Sequence, residues 1–481
     1  MPPRRKRYRK PGSGGDGSFF KRMQRLSSQH HQPSLDVLDA TLKEIFFDSR
    51  PKPRPVSSRS VLARPCEDLL APLPLETIAV IASFLPLVPD VLNLQCLCQR
   101  TRGLLPRVVH AMTSVVLPGD VRSCLHFQRI IASIAPFVER LSCTSEGVTN
   151  PLIWSAVSAG LPPMPRLVHL QLSELPDRVV ATRLSFPPLL RTFKYDGTDP
   201  VNWSFLADLV GRVRTLDSLE IRGFAHGAPG DKNWLKGRSW RALRMDVVLQ
   251  DSRAPTLTFP MSERRRRAID DFTASLIVAV EGSAETLQRF SFAEPCNTAL
   301  LDSLQRCENL ERLSVQVDRR RATKIIPLLG GGTLRSIRLA FPVLCHMSLR
   351  QRSEADGRVE EALANLATYH TLREVVIDGC GTLLELSGTS MRALSGIVIT
   401  SLELLTVDVT VGDLAELGGA LTSLRDFTIQ APRLGRDPET YRFIRKSCPN
   451  LRKLEVPVEG LADPAVCEEI ARLRSNGVKV Y

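Results

Sequence analysis

The chain has 481 residues, 43% of them hydrophobic, and a formal net charge of +13, which is typical of a globular protein with two or three structural units. No run of about 18 apolar residues is present, so neither a membrane span nor association with a membrane is expected. The first ten residues, MPPRRKRYRK, also lack the apolar stretch of a secretory signal.

The positive charge is concentrated at the N-terminus. Residues 1–64 contain 15 Lys and Arg against 5 Asp and Glu, so little of the net charge belongs to the rest of the chain. This distribution argues against a nucleic-acid-binding domain in the body and leaves only non-specific contact through the tail.

The 11 cysteines indicate a reducing compartment. Their number is odd, and the close pair Cys96 and Cys98 is spaced too tightly for a usual zinc site. We therefore expect buried thiols, no metal site and no cofactor, in a protein of the cytoplasm or the nucleus.

Residues 1–65 are predicted to be a disordered basic tail followed by a Pro-rich linker. The basic cluster at residues 4–10 fits a nuclear import signal, and it equally fits a solvated tail. Residues 34–48 predict a short amphipathic helix that docks either on the body or on a partner.

A helical segment follows at residues 73–105. Pro74 suits the first turn of a helix, and Glu76 places a negative charge at the positive end of its dipole. Ile78, Ile81 and Leu85 then recur on one helix face. The segment is more apolar than so small a unit can bury by itself.

This order of residues resembles the F-box. The matching positions are Leu73, Pro74, Glu76, Ile78, Ile81, Leu85, Leu92, Leu94, Cys98, Arg100 and Leu104, while Thr101 stands near the position of an expected Trp. The resemblance implies binding to a Skp adaptor, and through it to a cullin, by way of Leu73, Pro74, Glu76, Ile78, Ile81, Leu85 and Leu94. The alternative is a helical cap on the rest of the chain.

Beyond this segment, a short phrase recurs: apolar, two variable residues, apolar, one variable residue, apolar. Its first positions are Val138, Leu167, Leu190, Leu216, Trp240, Leu287, Leu310, Leu334, Leu372, Leu402, Leu424 and Leu451. A period of about 20–30 residues with this phrase is the signature of a leucine-rich repeat. Each unit buries its apolar face only against its neighbours, so the array predicts a curved solenoid.

Several details of the array depart from a regular pattern. The long gap after Trp240 predicts one degenerate repeat near Leu257, and the gap after Leu334 contains a polar insert at residues 351–361. The Asn or Cys that usually follows the phrase occurs only as Cys380, so irregular loops are expected. The final residues, 464–481, predict a helix and a short strand that cap the C-terminus.

Polar residues that alternate with the apolar ones are expected on the concave face of the sheet. Arginine dominates its centre, and acidic residues, including Glu374, Asp408 and Asp426, dominate the C-terminal third. The predicted target-binding residues are Arg244, Arg289, Arg312 and Arg338. Their forked donors suit an acidic or phosphorylated peptide, and the alternative is that they only keep the surface soluble.

Catalytic motifs are not evident. The Gly330–Gly332 run lacks the lysine and the strand–loop–helix context of a phosphate loop, and no nucleophile and base occur in a recognisable motif. The arginine runs at residues 264–267 and 319–321 are predicted to be solvated loops.

The combined prediction is an α/β chain with a disordered basic tail at 1–65, an F-box-like helical domain at 66–115 and a leucine-rich-repeat solenoid at 116–481. Parallel strands are expected on the concave face and helices on the convex face. This arrangement resembles the F-box/leucine-rich-repeat proteins, which implies a non-catalytic substrate receptor of an SCF-type ubiquitin ligase. The alternative is a ligase-independent interaction scaffold, in the nucleus or elsewhere.

Overall fold

The computed structural model describes residues 114–118, 135–144, 164–173, 175, 186–250, 262–330, 333–343, 347–431, 434–456 and 463–481. The predicted tail, the helix at 34–48 and the F-box-like segment lie outside the described residues. The first described strand begins at Ser114, close to the predicted start of the solenoid.

The described residues form sixteen strands. They are β1 (Ser114–Pro118), β2 (Arg140–Thr144), β3 (His169–Leu172), β4 (Thr192–Pro200), β5 (Ser218–Ala225), β6 (Ala242–Leu249), β7 (Arg289–Pro295), β8 (Arg312–Gln316), β9 (Ser336–Ala340), β10 (Glu374–Asp378), β11 (Leu384–Glu385), β12 (Ser401–Leu405), β13 (Val407–Asp408), β14 (Asp426–Gln430), β15 (Lys453–Glu455) and β16 (Lys479–Val480).

Helices alternate with these strands from residue 203 onward. They are α1 (Trp203–Arg212), α2 (Glu263–Glu281), α3 (Thr298–Leu304), α4 (Leu349–Ala364), α5 (Gly388–Leu394), α6 (Val411–Ala415), α7 (Ala420–Ser423), α8 (Pro438–Ser447) and α9 (Pro464–Ser475). Three 3₁₀ segments, Arg319–Gly330, Asn365–Thr368 and Leu434–Arg436, complete the connections. None of the described helices is long and apolar enough to cross a membrane.

Fourteen of the strands form one parallel sheet in sequence order, and β11 and β13 pair separately. One buried apolar residue from each strand of the large sheet lies in the same register row. This row contains Val115, Leu141, Leu170, Phe193, Leu219, Leu243, Phe290, Leu313, Ile337, Val375, Leu402, Phe427, Leu454 and Val480. The predicted α/β solenoid is therefore confirmed.

Local sequence explains where the helices begin and which face they bury. The side chains of Asn202, Ser262 and Asn297 accept hydrogen bonds from backbone N–H groups at the starts of α1, α2 and α3. In α2, Phe272 and Leu276 have no exposed surface, four residues apart on one face. The helices thus cover the apolar side of the sheet and leave its other side to polar residues.

One repeat is displaced by three residues from its predicted position. Val375 pairs with Leu402, and Ile377 pairs with Leu404, so the phrase is Ile399, Leu402 and Leu404. The predicted phrase that began at Leu402 and ended at Leu405 and Val407 was wrong. The segment 399–407 contains two overlapping apolar patterns, and only pairing with β10 and β14 selects between them.

Leu257, near which a degenerate repeat is predicted, lies outside the described residues, but no strand of such a repeat separates β6 from β7. These strands are direct neighbours, with Leu243 opposite Phe290. The long gap contains the 19-residue helix α2 instead. Similarly, the polar insert predicted at 351–361 is part of helix α4. The predicted C-terminal helix and strand correspond to α9 and β16.

A ladder of hydroxyl groups links successive repeats. A Thr or Ser lies immediately before the leading apolar residue of a repeat, and its Oγ donates to the carbonyl of the leading residue in the preceding repeat. The pairs are Thr215 with Leu190 (2.8 Å), Thr286 with Trp240 (2.9 Å), Thr333 with Leu310 (2.9 Å), Thr371 with Leu334 (2.7 Å) and Ser423 with Ile399 (2.8 Å). This ladder links each repeat to the next, although the Asn that usually follows the repeat phrase does not occur there.

Neither arginine run is a solvated loop, so that prediction was wrong. The run 264–267 lies in α2, where Arg265 binds both carboxylate oxygens of the buried Glu294 at 3.0 and 3.1 Å. Burial raises the pKa of Glu294 above its usual 4.5, against the opposing effect of Arg265. In the second run, the side chain of Arg319 is fully buried.

Candidate functional site

An open groove lies on the face of the sheet opposite the helices. We call this side, which carries the polar residues that alternate with the buried row, the open face. The groove has a volume of about 620 Å³ and is lined by residues of β5 to β10. All four predicted target-binding arginines line it: Arg244, Arg289, Arg312 and Arg338.

Strand register fixes how these arginines are arranged. Arg289 on β7 lies directly opposite Arg312 on β8. In the row two residues further along the strands, Arg244 and Arg338 occupy the two ends, with Ser291 and Ser314 between them. Ser291 and Ser314, which have small side chains, therefore form the floor of the groove between Arg244 and Arg338.

Two of the four arginines are neutralised by aspartates on the same face. Arg244 Nε lies 2.5 Å from Asp246 Oδ2, and Arg338 Nη2 lies 3.3 Å from Asp378 Oδ2. Ser291 Oγ donates to the other oxygen of Asp246 at 2.5 Å. These contacts hold the outer arginines in place and reduce the charge that they offer to a ligand.

Arg289 and Arg312 are different. Both are exposed, and within the described parts of the chain neither side chain makes an ion pair or a hydrogen bond. Neighbouring strands are about 4.8 Å apart, so two like charges stand side by side in the unbound protein. Like charges directly opposite each other on a sheet are destabilising, and an anion that bridges them relieves that repulsion.

The acidic residues predicted for the C-terminal third of this face are only partly in place. Glu374 on β10 and Asp426 on β14 are exposed, in the same register row as Arg312. Asp408 instead belongs to the separate strand β13. Glu403 on β12, between β10 and β14, adds an acidic residue to this face that the shifted phrase concealed.

Within the described residues, the side chains of Glu374, Glu403 and Asp426 form no ion pair or hydrogen bond. The next strand ends this acidic area, because Lys453 and Glu455 on β15 neutralise each other at 3.3 Å. The open face thus carries two unpaired arginines near its centre and three unpaired carboxylates further along.

The described lining of the groove lacks three side-chain types that often serve as bases or nucleophiles. The lining, as far as the structure describes it, contains no histidine, lysine or cysteine. Elsewhere, burial raises the pKa of the thiols of Cys296 and Cys448 to about 12 and that of Cys307 to about 11, so they are protonated near neutral pH. No group of metal-ligating side chains occurs among the described residues.

The predicted adaptor-binding residues lie outside the described residues, so their role stays a prediction. They are Leu73, Pro74, Glu76, Ile78, Ile81, Leu85 and Leu94.

Comparison with known proteins gives distant likenesses only. No family model and no curated protein matches this sequence. Among solved structures, the leucine-rich-repeat protein LegL7 from Legionella pneumophila is 11% identical, with a TM-score of 0.31, over 75% of this chain and 98% of its own. The yeast Rad7–Elc1 complex is 12% identical, with a TM-score of 0.31, over 94% of this chain and 98% of the matched one.

Proposed function

We propose that this chain is a non-catalytic receptor that binds a protein target on the open face of its solenoid and a Skp adaptor through residues 73–105. In this role it is the substrate-recognition subunit of an SCF-type ubiquitin ligase. The observation that carries target binding is the groove with the unpaired Arg289 and Arg312. The adaptor half is supported by the F-box resemblance of the sequence.

Such a receptor acts by proximity. The F-box-like segment ties the solenoid to the adaptor and the cullin, and the groove holds the target near the ubiquitin-conjugating enzyme. Holding two reactants together converts an encounter between separate molecules into an effectively unimolecular step. The groove needs affinity and orientation for this task, and no catalytic group of its own.

Co-purification with a Skp adaptor tests the adaptor half. The substitutions Leu73→Ala and Pro74→Ala together are expected to abolish binding, because they remove the start of the helix that the sequence predicts and one large apolar side chain. The matched control replaces another Leu-Pro pair outside the segment, Leu161→Ala with Pro162→Ala, and is expected to retain binding.

Failure of the folded wild-type chain to bind the adaptor contradicts the ligase role. Circular dichroism and unfolding by urea establish that each variant is folded. If target binding on the open face persists without adaptor binding, the chain is an interaction scaffold independent of the ligase.

A further inference from the structure

We infer that the open face recognises an extended target segment with two charged ends: a phosphorylated side chain at Arg289 and Arg312, and basic side chains at Glu374, Glu403 and Asp426. This inference rests on the proposed target-binding function and names the chemistry of the target. It follows from which charged groups on this face have partners and which do not.

The anion site consists of two guanidinium groups on adjacent strands that have no ion-pair or hydrogen-bond partner among the described residues. Arg289 and Arg312 share a register row and are exposed. Their combined charge of +2 matches a phosphorylated Ser or Thr, which carries a charge of about −1.5 to −2 near neutral pH. A phosphoryl group also offers three acceptor oxygens, enough for two forked donors at once.

The side chains that border the anion site are held in place by other residues of the protein. Arg244 and Arg338 are held by Asp246 and Asp378, and Ser291 is held by Asp246. The floor between them consists of the small side chains Ser291 and Ser314. Space for the ligand therefore lies above the serines, within reach of the two arginines that have no internal partner.

The cation site lies further along the same face. Glu374, Glu403 and Asp426 lie on β10, β12 and β14, which are consecutive neighbours in the sheet. Between the two sites stands β9, where Ser336 is neutral and Arg338 is paired with Asp378. A single extended chain that crosses the strands meets positive, neutral and then negative surface.

Strand spacing sets the distance between the charges of the target. Neighbouring strands are about 4.8 Å apart, so β10 lies about 10 Å and β14 about 19 Å from β8. An extended peptide spans about 3.3 Å per residue, so the basic side chains fall about three to six residues from the phosphorylated one. A target with phosphate and lysines adjacent to each other does not reach both sites.

Binding of synthetic peptides to the purified full-length chain tests this arrangement. The probe is a fluorescent phosphoserine peptide with lysines at about three to six residues' distance, made with the lysines on either side of the phosphoserine. One of the two orders is expected to bind at least about tenfold more tightly than a peptide without lysines and a peptide without phosphate. It is also expected to bind more tightly than one with the lysines next to the phosphoserine.

Matched variants separate specific contacts from net charge. The substitutions Arg289→Glu with Arg312→Glu are expected to abolish binding of the phosphopeptide, whereas Arg264→Glu with Arg321→Glu, exposed residues on the helical side, are expected to retain it. The substitutions Glu374→Lys, Glu403→Lys and Asp426→Lys are expected to remove only the gain from the lysines. Their control is Asp270→Lys, Asp302→Lys and Glu361→Lys.

Each possible negative result of these binding experiments contradicts a different part of the inference. If peptides with and without lysines bind equally, the two-ended target is overturned, while target binding at the arginines stands. Equal affinity for a peptide with glutamate in place of phosphoserine overturns the phosphoryl assignment. If control variants lose binding as the groove variants do, the attraction is only net charge and the inference is wrong. If no peptide binds a chain that still binds the Skp adaptor, the inference fails and the adaptor role does not.

Discussion

At the scale of single residues, the fully buried side chain of Arg319 donates hydrogen bonds to three separate segments of the chain. Its Nε donates to the Phe341 carbonyl at 2.9 Å, and its Nη1 donates to Asp356 Oδ1 at 3.0 Å. Its Nη2 reaches the carbonyls of Gly379 and Thr382. One side chain therefore ties together the segments that follow β8, β9 and β10, beside the groove.

Burial has a larger effect on the pKa values of Arg319 and Asp356 than the attraction between their charges. It lowers the pKa of Arg319 and raises that of Asp356, in both cases against the attraction between the two charges. Taking two charges out of water is expensive, and the remaining partner is left uncompensated when one is removed. The network is thus a site where a single substitution has a large effect.

Replacing Arg319 is predicted to destabilise the protein strongly. Arg319→Met is expected to lower the free energy of unfolding by about 3–5 kcal/mol, because it leaves the Asp356 carboxylate and several carbonyls buried without a donor. Unfolding by urea, followed by circular dichroism, measures the change. Arg321→Met, an exposed position two residues away, is expected to stay within about 0.5 kcal/mol of wild type. Similar effects of the two substitutions contradict the role given to Arg319.

At the scale of the structural elements, the hydroxyl ladder determines how one repeat joins the next. Each Thr or Ser hydroxyl satisfies a carbonyl at the start of the preceding repeat, where the strand ladder has not yet begun. The residue order Thr-Leu or Ser-Leu before the strand is visible in the sequence. Its meaning is not, because the acceptor belongs to the neighbouring repeat, more than twenty residues away.

Loss of a ladder hydroxyl is predicted to weaken the stacking of repeats. Thr333→Val and Thr371→Val keep the shape of the side chain and are each expected to lower the free energy of unfolding by about 1 kcal/mol. Thr389→Val is the control, because Thr389 is exposed in α5 and does not belong to the ladder. Thermal or urea unfolding measures the free energy of unfolding of the three variants, and equal stability of all three contradicts the ladder.

At the scale of the whole molecule, a solenoid depends on the units at its ends. Strand β16 pairs with β15, and helix α9 buries Val466, Ile470 and Leu473. Each repeat contacts only its neighbours, so α9 and β16 cover the apolar face of the repeat that precedes them. The C-terminal segment is therefore expected to keep the described solenoid from self-association.

Removal of that segment tests its capping role. A chain that stops after Val456 exposes Leu454 on β15 and is expected to unfold at lower urea concentration and to self-associate, as measured by size-exclusion chromatography. Tyr481→Ser is the control, because the Tyr481 side chain is largely exposed and lies in a cation–π contact with Lys453. A truncated chain that stays monomeric and equally stable contradicts this assignment.

The sequence by itself determined the periodicity of this protein and therefore its architecture. Apolar residues at a fixed spacing can be buried only by stacking, so the parallel sheet, the helices and the buried row follow from local pattern. The same alternation placed Arg244, Arg289, Arg312 and Arg338 on one face. Those inferences needed no knowledge of which residues touch.

Only the tertiary structure decided which charges are available. Arg338 pairs with Asp378, which is 40 residues away in the chain, whereas Arg289 and Arg312 have no partner among the described residues, and nothing in the local sequences of these three distinguishes them. Asp246, by contrast, lies two residues from Arg244 on the same strand, so that pair was open to prediction from the sequence. The choice between overlapping patterns near Leu402, which brings Glu403 to the open face, likewise required pairing with β10. Burial, ion pairing and register are properties of neighbouring strands, and residues that are distant in the chain determine them.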